Sequence, residues 1–294
     1  MTDTTSAIWG LHASGVLDTL LTGAGIKVAV LDTGIDLDHP DFSQRRMNWK
    51  SFVSGEAVQD MHGHGTHCAG TVAGPRTPGP AAVPGYGCAP DVDLHIGKVL
   101  NNRGFGRDGD IIAGIDWAIG EGCHIISMSL GSPTMRGQRY DDVYEEIASD
   151  ALANGCLIVA AAGNDSNRSS GRIAPVSKPA NCPSILSVGA IDALMQTANF
   201  SNGGMNGDGG AVDLAAPGVG VLSAAPGPRF YQTMDGTSMA CPHVAGVAAL
   251  WAEFDPELRG QRLWDVLVEN AGKLDGMARD IGHGLIRAPA GGVG

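Results

Sequence analysis

Short apolar runs of strand length recur through the chain, and each ends abruptly in a small or polar turn. The first is Ile26-Lys-Val-Ala-Val-Leu31, closed by Asp32-Thr33-Gly34. Comparable runs lie at 92–100, 125–130, 157–162 and 185–190. A run of this length bounded by turn signals suits a strand buried on both faces. Between the runs the spacing changes. Residues 111, 112, 115, 118 and 119 are apolar, which is the periodicity of a helix. Further helices are expected over 65–74, 140–154 and 256–270. Strands alternating with helices predict the α/β class, with a mainly parallel central sheet in three α/β/α layers. Beyond Phe200 the pattern shifts to short strands near 211–214 and 219–223, separated by Gly, Asn and Asp turns.

The chain has 294 residues and no Pro/Ser-rich linker, charge run or repeat. We therefore expect one domain over 1–294. The balance of 43% hydrophobic to 17% charged residues is that of a globular protein. A net charge of −12 argues against nucleic acid as a partner, because phosphate binding needs a basic patch. No apolar run reaches the roughly 18–20 residues that span a bilayer, so no membrane partner is expected. Met1 to Ser6 carry neither a basic region nor an apolar core. The expected location is the cytoplasm, or else the chain is the processed form of a secreted protein. None of the six cysteines forms a C-x-x-C pair, and several sit in apolar runs. Mostly free, buried thiols are expected.

Open α/β sheets place their ligands outside the carboxyl ends of the strands. Asp32 and Asn164 both lie at such ends. His62, His64 and His67 follow within a glycine-flanked stretch. They suit either a metal site or one catalytic base opening a helix, and the lack of a fixed carboxylate partner favours the base. Ser238 lies in Gly236-Thr-Ser-Met-Ala240, where a tight turn enters an apolar segment. Alone it reads equally as a helix cap. A serine needs a base to become a nucleophile, and Asp32, His64 and Ser238 supply carboxylate, imidazole and hydroxyl.

Five segments in order carry a resemblance to a family. They are Val28-Ala-Val-Leu-Asp-Thr-Gly34, His64-Gly-Thr-His-Cys-Ala-Gly70, Ser129-Leu-Gly131, Ala160-Ala-Ala-Gly-Asn164 and Gly236-Thr-Ser-Met-Ala240. Together they resemble the subtilisin-like serine proteases (subtilases, peptidase family S8). The order Asp, His, Ser is the one known for subtilisin.

The resemblance implies a subtilisin-like fold and a serine endopeptidase working through an acyl-enzyme. Asp32 would orient His64, His64 would act as base and then acid, and Ser238 would be the nucleophile. Asn164 and the Ser238 N–H would form the oxyanion hole. Gly104, Phe105 and Gly106 on one side, and Ser129, Leu130 and Gly131 on the other, would clasp an extended peptide or protein substrate as a β-strand. Ala161, Ala162 and Gly163 would line the S1 pocket, with Ser177 near its floor. No charged residue is apparent there, so large uncharged P1 residues are expected. Ile111 and Leu130 are read as apolar S4 walls. Cys68 is read as a buried packing residue and Met239 as an oxidation-sensitive neighbour of Ser238.

No cofactor is required for this chemistry. The family implies structural calcium at Asp41, but the loop 74–84 offers no Asn or Asp. A monomer is expected, with a prodomain or protein inhibitor as a further partner. Two rival functions remain. A transamidase or macrocyclase would pass the acyl group to an amine, but no helical insertion lies between His64 and Asn164. A non-catalytic peptide-binding module on the same fold would not need an intact triad.

Overall fold

A computed structural model describes residues 7–78 and 83–291. In chain order the elements are α1 (Trp9–Ala13), β1 (Lys27–Asp32), β2 (Asn48–Ser51), α2 (His64–Ala73), β3 (Asp93–Lys98), α3 (Asp108–Gly120), β4 (Ile125–Met128) and α4 (Asp142–Ala153). There follow β5 (Leu157–Ala161), β6 (Leu186–Ile191), β7 (Leu214–Pro217), β8 (Val221–Ala224), β9 (Tyr231–Met234), α5 (Thr237–Phe254), α6 (Gln261–Glu269) and α7 (Ala278–Ile281).

Seven strands form one sheet in the order β2-β3-β1-β4-β5-β6-β7, and every pairing is parallel. The expected α/β/α layering is present. β1 shows why. Val28 and Val30 enter the core beneath α2 and α5, while Ala29 and Leu31 enter the core beneath α3 and α4. Alternate side chains of a strand point to opposite faces, so a strand covered on both sides must be apolar throughout.

The differences from expectation are local. β2 is exposed along most of its length, so it lacks the apolar signature of its neighbours. The helix expected from 256 starts at Gln261, after a turn in which Leu258 N–H bonds the Asp255 carbonyl. β7 begins at Leu214, where the sequence suggested a strand ending. β8 and β9 form a separate antiparallel hairpin. Residues 79–82 of the Pro/Gly/Ala loop, and Met1 to Ser6, lie outside the described residues.

α5 carries Ser238 into the middle of the molecule. Fourteen of its residues are buried, from Thr237 to Ala252. A helix apolar on all sides has to be enclosed, and α5 packs against β4, β5, β6 and β7. Val244, Val247 and Leu250 are fully buried, and each such side chain contributes about 1.5–3 kcal/mol. The nucleophile candidate therefore stands on an element that moves only with the core.

α2 is held at one end by two glycines. A Cβ on Gly65 would lie 2.3 Å from the Gly34 carbonyl oxygen, and one on Gly34 would lie 1.9 Å from the Val58 carbonyl oxygen. Gly34 also has φ +103, a backbone region that disfavours side chains. The contact brings the start of α2 against the end of β1, and hence His64 against Asp32. Gly65→Ala should push the two apart. Because ångström-scale misplacement costs about 100-fold, kcat/KM on a peptide substrate should fall by that order, with a lower Tm. A wild-type rate in the folded variant would refute the link.

Candidate active site

Asp32 ends β1 and is 1% exposed. Its Oδ1 accepts from the Thr33 N–H at 2.7 Å and faces His64 Nδ1 at 2.8 Å, with Oδ2 at 3.0 Å. The carboxylate is thus held from two sides. With Nδ1 occupied, the protonated nitrogen of neutral His64 faces Asp32 and Nε2 is left without a proton.

A buried residue absent from the sequence reading fixes this arrangement. Asp60 is 1% exposed. Its Oδ1 accepts from Thr33 Oγ1 and from the His62 and Gly63 N–H groups, each at 2.9 Å. Its Oδ2 accepts from Thr66 N–H at 2.9 Å and Thr66 Oγ1 at 2.7 Å. Thr33 Oγ1 in turn accepts from Gly65 N–H at 2.8 Å. The first N–H groups of a helix lack intrahelical acceptors. Here Thr33 and Asp60 supply them, since the cap residue Gly63 has no side chain to do so. Among polar loop residues, only its position before the histidine stretch could have marked Asp60 in advance.

Ser238 sits in the first turn of α5. Its Oγ donates to the Ser129 carbonyl at 3.3 Å, and the side chain lines the same cleft as His64. The Ser238 carbonyl is also engaged, accepting from Ser129 Oγ at 2.7 Å and Cys68 Sγ at 3.4 Å. Pro242 explains why that oxygen is free. A residue at 242 would normally donate its N–H to the carbonyl four back, but proline has none. Cys68 is fully buried as expected, yet it also tethers the Ser238 backbone. Its thiol lies 3.9 Å from His64 Nδ1.

Asn164 follows β5. Its Oδ1 accepts from the Thr237 N–H and Thr237 Oγ1, both at 2.9 Å. An N–H donor requires an acceptor opposite it, which assigns the amide orientation. The Asn164 Nδ2 is therefore left for the cleft. The Ser238 N–H lies in the same first turn, where helical N–H groups carry partial positive charge. Two donors of this kind suit a developing negative charge.

The three histidines do not converge. His62 is exposed on the cleft lip, with its ring 6.2 Å from that of His64. His67 Nε2 reaches the Val221 and Gln232 carbonyls of the β8–β9 hairpin. Burial pushes the His67 and His243 pKa values down to about 4, so both are neutral structural groups near pH 7. Among the described residues, the ligand-like atoms that do converge belong to Asp32, His64 and Cys68, and hydrogen bonds already account for them.

A cleft of about 450 Å³ runs past these groups. Its walls include Gly104, Phe105 and Gly106 opposite Ser129, Leu130 and Gly131, with Ala161, Gly163, Ile111 and Ser177. Two expectations need correction. Ala162 is fully buried in the core beneath α3 and α4 and does not face the cleft, because it alternates with Ala161. Charge is also present. Asp165 lies in the wall, its Oδ2 accepting from Asn202 Nδ2 at 3.0 Å and Ser177 Oγ at 3.4 Å. Met239, next to Ser238, is 1% exposed, which shields the sulfur that was expected to be oxidation-sensitive.

Asp41 does not fit the expected calcium ligand. Its Oδ2 accepts from the Tyr86 hydroxyl at 2.5 Å and the Tyr231 hydroxyl at 2.9 Å. Burial, reinforced by the Asp41 contact, raises both phenol pKa values. The hydroxyls stay protonated and point donors, not lone pairs, at the carboxylate. Hard-cation sites need several converging oxygen acceptors. All six cysteines are free and buried, and burial pushes Cys88, Cys123, Cys156, Cys182 and Cys241 up to about 12.

The model of the Subtilase family matches residues 23–284. The chain belongs to the subtilase family. It is 39% identical over 282 residues to Subtilisin E of Bacillus subtilis (strain 168), covering 95% of this chain and 68% of that protein. It is 38% identical over 289 residues to Subtilisin Savinase of Lederbergia lenta, covering 97% and 98%. The solved structure of Sphericase superimposes with a TM-score of 0.80 at 31% identity, covering 97% of this chain and 99% of that one. This subtilase is a serine-type endopeptidase, a hydrolase acting on peptides or proteins.

The electrostatics of His64 give a pH prediction. Burial is the largest single influence and lowers its pKa, but attraction to Asp32 and Cys68 and the hydrogen bonds to both together outweigh it and hold the pKa well above 6.5. For His64 to accept a proton it must be neutral, so if it is the base, activity should be present above that pKa and lost as pH falls through it. The acid limb of kcat/KM should therefore have its midpoint above 6.5. Asp32→Asn should move the limb downward while lowering kcat about 10⁴-fold. A pH–rate profile of both proteins checks this, and an unmoved limb would count against the role of Asp32.

Proposed function

We propose that Asp32, His64 and Ser238 form the catalytic triad of this endopeptidase, with the Asn164 side chain and the Ser238 N–H as the oxyanion hole. The observation that carries this reading is the Asp32–His64 pair at 2.8 Å, whose imidazole lines one cleft with Ser238 and Asn164. His64 Nε2 takes the Ser238 proton as Oγ attacks the scissile carbonyl. Asp32 stabilises the imidazolium that results. The carbonyl oxygen, now negative, is held by Asn164 Nδ2 and the backbone N–H. His64 then protonates the leaving amine, and water repeats the sequence on the acyl-enzyme.

The substrate lies extended between the 104–106 and 129–131 segments, adding a strand whose main-chain bonds give affinity. Large uncharged side chains are preferred at P1, against Ala161 and Gly163. Asp165 adds a sign to this preference: its carboxylate rejects Asp and Glu and tolerates Lys and Arg. A transamidase would need a cover excluding water, and the cleft is open to solvent at Phe105, which is 71% exposed.

A serine-directed phosphonate should label wild type at Ser238 and leave Ser238→Ala unlabelled and inactive on a chromogenic peptide. Folded wild type that neither labels nor turns over would falsify the reading. Cyclic product in place of hydrolysis would favour the transamidase. Asn164→Ala should lower kcat about 10²–10³-fold with a small change in KM, a magnitude that belongs to subtilisin and is transferred by homology.

A P1 library should rank Phe, Tyr and Leu first and Asp and Glu last. Arg or Lys outrunning Phe and Leu would sink the P1 assignment.

A further inference from the structure

A lysine with no access to solvent ends β3. Lys98 is 0% exposed, and lysine is rarely enclosed unless its charge is answered. Three acceptors answer it here. Its Nζ donates to the Thr33 carbonyl at 2.6 Å and to Asn102 Oδ1 at 2.9 Å, and Glu56 Oε2 lies 3.4 Å away. An ammonium has three donors, so none is left over. Lys98 pairs with Asp32 in the β1–β3 register. Just beyond it, the Val99 and Leu100 N–H groups donate to the Asp32 carbonyl at 2.9 and 3.1 Å. The end of β1 and the chain leaving β3 are thus fastened to each other.

Each acceptor belongs to a different part of the site. Thr33 already donates its N–H to Asp32 and its hydroxyl to Asp60. Its carbonyl is its remaining polar atom, and Lys98 holds it. Asn102 lies in the turn that opens the 101–106 segment, where the Gly104 N–H donates to the Asn101 carbonyl and the Asn101 N–H to the Phe105 carbonyl. This turn is anchored twice. Lys98 holds the Asn102 side chain, and the Asn102 N–H donates to Glu56 Oε2 at 2.8 Å. Glu56, from the loop after β2, is both the second anchor and the counter-charge of Lys98. Arg103, next in the turn, lines the cleft, and among the described residues it forms no ion pair with Glu56.

We propose that Lys98 is a positioning residue that joins the 101–106 segment to the Asp32–His64 pair, so that holding the substrate strand and aligning the imidazole share one buried ammonium. This rests on the triad and strand-addition readings of the site. Lys98 does not line the cleft and acts only through its partners. On one side it fixes Thr33, and through Thr33 the Asp32 carboxylate that holds His64. On the other it fixes Asn102, and through Asn102 the turn that carries Gly104, Phe105 and Gly106. Losing the Asn102 side chain frees the turn but leaves Thr33 held. Losing the ammonium frees both. The first change weakens substrate binding alone, whereas the second also misplaces the reacting groups, and the two are separable in KM and kcat.

The test is a double-mutant cycle on a chromogenic peptide with Phe at P1, with kcat normalised to the active sites that the phosphonate labels. Asn102→Ala should raise KM about fivefold, the effect of one hydrogen bond, with kcat within about twofold of wild type. Lys98→Met should raise KM to the same extent and also lower kcat about tenfold, as expected for a lost hydrogen bond from a charged group. In the Lys98→Met background, Asn102→Ala should change KM no further, because the contact it deletes is already gone. If Lys98→Met does not fold, as judged by Tm, Lys98→Met/Glu56→Gln takes its place, since it removes both charges of the pair. Glu56→Gln alone is then the control, raising KM and sparing kcat. A wild-type KM in Asn102→Ala, a wild-type kcat in the folded Lys98 variant, or additive effects on KM would overturn the assignment. If wild type neither turns over nor labels, the triad reading falls and takes this one with it. Turnover with additive effects leaves that reading standing and removes only this one.

Discussion

The site depends on one buried carboxylate that performs no chemistry. Asp60 accepts hydrogen bonds from Thr33, His62, Gly63 and Thr66, and so binds the start of α2 to the turn after β1. A charge buried this deeply is tolerated only when its lone pairs are satisfied. Here the donors are the helix N–H groups that would otherwise lack partners. The same contacts hold His64 beside Asp32. Satisfying the helix terminus and aligning the imidazole are therefore one structural event. The close approach of Gly65 to Gly34 leaves no slack in it.

The other half of the cleft is held by a comparable exchange. Pro242 removes one helical N–H from α5, and the freed Ser238 carbonyl is claimed by Ser129 and Cys68. Cys68 lies on α2 and Ser129 lies just beyond β4. The Ser238 backbone is thereby tied both to the helix bearing His64 and to the 129–131 segment on the cleft wall. Asn164 is oriented in the same way, since Thr237 occupies its oxygen and leaves its amide nitrogen facing the cleft. Groups that face the cleft are thus set by groups that do not.

Charge along the cleft is the feature the sequence reading missed. Asp165 and Asp108 both line the cleft, yet they are ordinary loop and helix-start aspartates when read in order. Near Asp108 in sequence stands Asp110, which does not line the cleft. Only folding decides which of them faces a substrate. The tyrosine pair on Asp41 makes the same point. Tyr86 and Tyr231 are 145 positions apart, so nothing local announces that they meet on the Asp41 carboxylate.

The sequence by itself determined the layered α/β architecture, because strands buried on both faces must be apolar throughout and helices must keep their own spacing. It also singled out Asp32, His64, Asn164 and Ser238 as candidates, since each lies in a motif at a strand end or helix start. It could not supply β2, whose exposed edge carries no apolar signature. Nor could it show that Ala162 faces the core while Ala161 faces the cleft, which depends on strand phase. The anchoring by Asp60, the tether made by Cys68, and the enclosure of Lys98 among Thr33, Asn102 and Glu56 were decided by tertiary structure alone. Each joins residues from separate segments, and hydrogen bonds between distant segments leave no periodicity for a sequence to display.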